Sequence, residues 1–187
     1  MPDWHAVTLT GDGPLSALVC ECDVCPGFDP LSGAKHPPWK SGFRAIWDTG
    51  ATGSVITQRV IDECGLKPTG MTIVHGVHGS DTVETYLVNL RLPNGVVFTN
   101  IQVSTGKLGD DIQILIGMDI IRCGDFVITN FQNRTVMSFR VPSQGVVDYV
   151  QDYNTVMALE QAAASGALHQ PGHINVPFTK KRSIFDR

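Results

Sequence analysis

No apolar run in these 187 residues approaches the ~20 consecutive residues that a membrane-spanning helix needs, so no such helix is expected. Basic residues are in the minority, with 14 Lys and Arg against 18 Asp and Glu and a formal charge of −4. Proteins that hold nucleic acid or anionic lipid usually carry a basic face, and this balance argues against both partners. An even set of cysteines is missing too. Five is an odd number, which fits reduced thiols better than a secreted disulfide framework. The opening MPDWHAVTLT has no basic stretch followed by an apolar one, so no secretory signal is expected and the cytoplasm is the default location. Without that route the sequon Asn133-Arg134-Thr135 is expected to be a chance match. There is no internal repeat. A hydrophobic content of 42% is ample for a buried core and speaks against disorder of the whole chain.

What is present from Trp4 to about Pro142 reads as β-structure. Short segments rich in Val, Ile, Thr and Phe follow one another: HAVTLT, LSALVCEC, FRAIWD, GMTIVHG, TVETYLVNLRL, VVFTNIQVS, IQILIG, DFVITNF and TVMSFRV. Turn signals at Gly11-Asp12-Gly13, Gly79-Ser80, Pro93-Asn94-Gly95, Gly106 through Asp111 and Asn133-Arg134 separate them. Such spacing predicts an all-β sandwich or barrel. Asn94-Gly95 predicts a type I′ hairpin turn, because that pair tolerates positive φ. The Pro- and Gly-rich stretch from about 24 to 41 predicts a long surface loop inserted between two strands. Two short helices are expected. One is QRVIDEC, capped by Thr57 and ended by Gly65; the other is MDIIRC, following Gly117 and stopped by Gly124. Residues 1–142 therefore read as one domain. Residues 143–187 read as a helical extension, with Val146, Tyr149, Val150, Tyr153, Val156 and Met157 at helical spacing, and a basic tail at Lys180-Lys181-Arg182. That apolar stripe is expected to pack on its own domain or on a symmetry mate.

The chemistry concentrates in Ala45-Ile46-Trp47-Asp48-Thr49-Gly50-Ala51-Thr52. An acid at the end of an apolar strand is costly unless it is paired or used. Two carboxylates about 3 Å apart divide the work of base and acid, because repulsion keeps one protonated while the other is ionised. Holding such a group needs a rigid strand end, a hydroxyl to tie the loop and a glycine that admits close backbone approach. Asp48-Thr49-Gly50 supplies these three. On its own the tripeptide is weak evidence, since a strand followed by an ordinary turn would look the same. Downstream, however, comes IQILIGMDII, with Gly117 and Asp119 between apolar runs, and TIVHGVHGSDTV lies between the two elements.

In these three motifs, taken in order, the chain from about Trp4 to Pro142 resembles the retropepsin-like aspartic proteases, the retroviral proteases and their single-domain cellular relatives. The resemblance implies a small closed β-barrel or sandwich of the acid-protease type, with one or two short helices and the C-terminal helical extension. It implies that Asp48 is catalytic and that Thr49, Gly50 and Ala51 form the active-site loop, with Thr49 bonding across a dimer. Gly117 and Asp119 would support that loop from below. The flap over an extended peptide would carry Gly76, Val77, His78 and Gly79, with Val77 as its apolar cap. Ile73, Val77 and Leu115 are candidate pocket walls, favouring apolar residues at the cut site.

Only one Asp-Thr-Gly occurs and no Asp-Ser-Gly, so the second carboxylate must come from a second copy of the chain. The expectation is a homodimeric aspartic endopeptidase acting on a protein or peptide substrate, without cofactor or metal. A non-catalytic dimerisation or peptide-binding module of the same fold is the alternative. Three departures from viral members stand out. His75 and His78 lie in the flap, where they could shift a pH profile or merely be exposed. Thr52 and Met118 stand where some viral members carry a charged pair that braces the dimer, so other elements would have to hold it, such as DFVITNF, TVMSFRV or the C-terminal helix. The third is the insertion itself. Cys20, Cys22 and Cys25 with His36 fit no standard zinc spacing and read as free thiols, with Cys20 and Cys22 on one side of a strand. Cys64 and Cys123 read as small apolar fillers beside helices.

Overall fold

The computed structural model describes residues 3–29, 31, 35–76, 79–109 and 111–165 of the chain. It divides into two compact units, Met1–Gly145 and Val146–Arg187.

Among the described residues, ten strands, two short α-helices and one 3-10 turn (Phe131–Asn133) build the first unit. The strands are β1 (His5–Thr10), β2 (Val19–Pro26), β3 (Lys40–Trp47), β4 (Val55–Ile56), β5 (Gly70–Gly76), β6 (Gly79–Arg91), β7 (Val97–Thr105), β8 (Ile114–Ile116), β9 (Asp125–Thr129) and β10 (Val136–Val141). Helix α1 (Gln58–Cys64) follows β4, and α2 (Met118–Ile121) follows β8. The all-β class expected from the sequence is the class observed. A three-stranded sheet runs β1-β10-β9, and a seven-stranded sheet runs β2-β3-β8-β4-β7-β6-β5. A further pairing of β2 with β6 joins six of those strands into a ring and leaves β5 outside it, attached only to β6.

Alternation along β3 shows why the ring encloses a core. Phe43, Ala45 and Trp47 are buried, whereas Arg44 between the first two is exposed. Val88 and Leu90 of β6, Ile114 and Ile116 of β8 and Ile120 of α2 join them. The Trp47 ring packs on Phe139, with centroids 5.0 Å apart, and on Phe126 at 5.6 Å, so it fastens the end of β3 to the three-stranded sheet. β2 and β3 extend into the expected insertion from either side, and the connection between them covers only residues 27–39. His36 packs there between the rings of Phe28 and Trp39, and Arg91 lies over Trp39 at 4.6 Å.

Helix α1 matches its expected limits. Thr57 is the N-cap, and Gly65 takes the left-handed conformation at φ 61° that lets its N–H close on Asp62. The Thr57 hydroxyl makes no cap bond and is buried without a partner. α2 ends earlier than expected, at Ile121 with Arg122 as its cap. The hairpin between β6 and β7 turns differently from the type I′ expectation. Pro93 fixes a negative φ, Asn94 stays negative too, and only Gly95 is positive at 85°. The Leu92 N–H donates to the Val96 oxygen and Gly95 N–H to Leu92 oxygen, both at 2.9 Å, so the tight turn centres on Pro93-Asn94 and Gly95 takes the bulge.

At the end of the first unit, the Asp125 carboxylate gathers the Gln144 N–H, the Ser143 hydroxyl and the Arg140 guanidinium. These donors hold its pKa at about 2, with the backbone N–H of Gln144 contributing most.

The second unit contains α3 (Tyr149–Ala164), capped by Asp148, whose carboxylate accepts from Val150 N at 2.9 Å and Gln151 N at 3.0 Å. Tyr149, Val150 and Tyr153 of this helix are exposed in the single chain.

Candidate active site

Strand β8 lies between β3 and β4, parallel to the first and antiparallel to the second. The chain that leaves β3 and returns as β4 must therefore cross the far end of β8, and that crossing is the loop from Asp48 to Ser54. Its acid is fixed at both ends. The Asp48 N–H donates to the Ile116 oxygen at 2.9 Å, which extends the β3–β8 ladder by one residue. The Gly50 N–H donates to Asp48 Oδ1 at 2.8 Å, and Ala51 N–H closes on the Asp48 carbonyl at 3.3 Å. A Cβ at position 50 would lie 3.1 Å from that same Oδ1, so glycine keeps the carboxylate uncrowded. Asp48 is half-buried, while Thr49 and Gly50 at the crest are exposed.

The floor below the loop is built by Gly117, Asp119 and Ser54. A Cβ on Gly117 would come within 2.6 Å of the carbonyl carbon and oxygen of Gly53, so only glycine fits. The backbone of α2 is tied upward, Met118 N–H to Ala51 oxygen at 2.8 Å and Asp119 N–H to Thr52 oxygen at 3.2 Å. The Asp119 carboxylate accepts from Ser54 N at 3.0 Å and from the Ser54 hydroxyl at 2.8 Å, and Ser54 Oγ accepts from Gly117 N at 3.1 Å. Ser54 is 1% exposed. Sequence reasoning singled out Gly117 and Asp119 but not Ser54. Its signal was a small polar residue at the head of a short apolar run, an arrangement common to many loops.

Two cavities flank the loop. The larger, about 520 Å³, lies between Gly50–Val55 and the flap residues Thr72–His75, with Thr85, Gln102 and Ser104 on its far side. The smaller, about 330 Å³, borders Asp48 itself and is lined by Leu15, Leu18, Trp47 and Ile128 among others. The β5–β6 hairpin pairs Gly76 with Gly79 and His75 with Ser80, and His75 Nδ1 lies 2.7 Å from the Ser80 hydroxyl. Ile73 is 61% exposed and lines the larger cavity. Leu115 does not. Its backbone is hemmed between Ile46 and Val55 within the sheet, and it lines neither cavity. Val77 and His78 lie outside the described residues, so the flap tip is not described.

Among the other expected groups, Cys20 and Cys22 do share one side of β2, with sulfurs 3.7 Å apart, and Trp47 Nε1 donates to Cys20 at 3.3 Å. Cys64 is half-buried, packs against the core and is pushed up to about 11 by burial. Cys123 is exposed rather than a buried filler, and its thiol lies 3.4 Å from the Asp119 carbonyl oxygen. Among the described residues no three His, Cys, Asp or Glu side chains gather as a metal site.

Residues 40–120 match the family model described as aspartyl protease. Solved structures similar to this chain include a retropepsin-like aspartic protease from Rickettsia conorii, at 14% identity and a TM-score of 0.45, covering 75% of this chain and 98% of that one. The Simian Foamy Virus (mac) protease aligns at 15% identity and a TM-score of 0.36, over 56% of this chain and 91% of its own. The retroviral protease-like domain of Ddi1 from Leishmania major gives 15% and 0.37, over 61% and 82%. A comparison with curated proteins finds no match. The matched stretch begins at the first residue of β3 and ends at Ile120, so it contains the Asp48 loop, the flap hairpin and the Gly117–Asp119 floor. Over residues 40–120 the chain is similar to the aspartyl proteases, and the resemblance read from its three motifs stands.

Proposed function

We propose that this protein is an aspartic endopeptidase, active as a homodimer in which each protomer contributes one Asp48. The observation that carries the proposal is the fixed, half-buried carboxylate that leads into the exposed crest of the loop. Oδ1 is held by the Gly50 N–H, the loop rests on a floor that only glycine permits at position 117, and a cleft opens beside it. One carboxylate cannot be both base and acid in the same step. A pair brought together about a twofold axis shares one proton, so one oxygen takes a proton from water while the other gives one to the leaving amine. An extended peptide between loop and flap would bind as an added strand, its main chain bonding to backbone and its side chains alternating between pockets. Thr49, exposed at the crest, would bond across the axis.

Replacing Asp48 with Asn tests this reading. Cleavage of a peptide library from mildly acidic to neutral pH is expected to disappear, while melting temperature and oligomeric mass stay unchanged. Cleavage by Asp48→Asn at the parent rate would overturn it.

A further inference from the structure

The larger cleft carries a polar patch among walls that are mainly apolar. Ala51, Val55, Ile73, Val74 and Val103 line it, and the polar patch comes from Thr85, Gln102 and Ser104 together with Thr72 and His75. None of its lining residues is Lys, Arg, Asp or Glu. Thr85 is only 2% exposed and its Oγ1 lies 3.2 Å from Gln102 Nε2. A hydroxyl and a primary amide together hold more donors and acceptors than one mutual bond consumes. Whichever way the Gln102 amide is turned, the pair keeps one donor and one acceptor to offer.

We infer that this cleft takes a neutral amide side chain, Gln or Asn, of the bound peptide, selected by Thr85 and Gln102. The inference rests on the protease reading and goes beyond it by naming a substrate side chain. An amide brings one acceptor and one donor group, and so answers both unspent groups at once. An aliphatic side chain would cover the exposed Gln102 amide without replacing its bonds to water, which costs the complex more than it gains. A carboxylate or ammonium would lose its hydration in a cleft that holds no fixed opposite charge. A volume of about 520 Å³ admits such a side chain with the adjoining peptide units.

The test uses the full-length protein and a set of otherwise identical peptides carrying Gln, Asn, Leu or Glu in turn at each of the positions flanking a cleaved bond. At one position, kcat/KM is expected to favour Gln or Asn over Leu and Glu by about tenfold, the worth of a hydrogen bond to a buried group. Gln102→Leu, a change at an exposed side chain, is expected to abolish or reverse that preference at this position alone, and Thr85→Val to weaken it. A native preference for Leu at every position, or an amide preference untouched by Gln102→Leu, overturns the inference and leaves the protease reading intact. If the native protein cuts none of these peptides, the protease reading falls. Calorimetric binding of the Gln and Leu peptides then decides the cleft: tighter binding of Gln supports the amide assignment, and equal or tighter binding of Leu overturns it.

Discussion

At Gly117 the hydrogen borne in place of a methyl group sets how closely two backbones meet. A Cβ there would stand 2.6 Å from the Gly53 carbonyl, an atom that no side-chain rotation can move aside. Gly117→Ala should therefore lift the loop, costing about 1–3 kcal/mol of stability, and lower kcat more than it raises KM. Denaturant unfolding alongside steady-state kinetics on a cleaved peptide would check both parts. Asp119→Ala removes the acceptor for two Ser54 donors, one of them on a nearly fully buried hydroxyl, and should cost about 2–3 kcal/mol in the same unfolding measurement. Gly117 and Asp119 were legible because a motif placed them. Ser54, Thr85 and Gln102 were not, since what distinguishes them is who faces them across the cleft, and those partners lie far away in sequence.

Among the elements, those with strong local signals were legible: most strands from their Val- and Ile-rich alternation, α1 from its cap residues, and the flap hairpin from its glycines. Two-residue β4 was not, because its existence depends on β7 and β8 on either side rather than on its own residues. The type I′ expectation failed where Pro93, one place before the Asn-Gly pair, took control of the turn. At Gly65 the left-handed φ of 61° is a local demand. Gly65→Ala should destabilise the protein by about 1–2 kcal/mol, with Gly65→Asn costing less, as thermal melts would show. The Asp125 clasp ties β9 to β10 and the residues after it. Its folded pKa, about 2, lies below the ordinary carboxylate value of 3.8, so it adds stability above that ordinary value and loses it as pH falls towards 2. Native protein should therefore melt above Asp125→Asn at pH 5, and the difference should shrink as pH falls from 4 towards 2, a series that calorimetry can follow.

For the whole molecule, the count of acids governs the account. One Asp-Thr-Gly in these 187 residues would supply half of the proposed two-carboxylate centre. In the single chain, the crest of the loop is exposed and the smaller cavity lies beside Asp48. The most direct measurement mixes native protein with Asp48→Asn at fixed total concentration, allows the subunits to exchange and follows cleavage as the native fraction varies. If each centre needs an acid from both protomers, only native–native pairs cut, and the rate falls as the square of the native fraction. A rate that falls in simple proportion to the native fraction would mean that each Asp48 works alone, and would contradict the account.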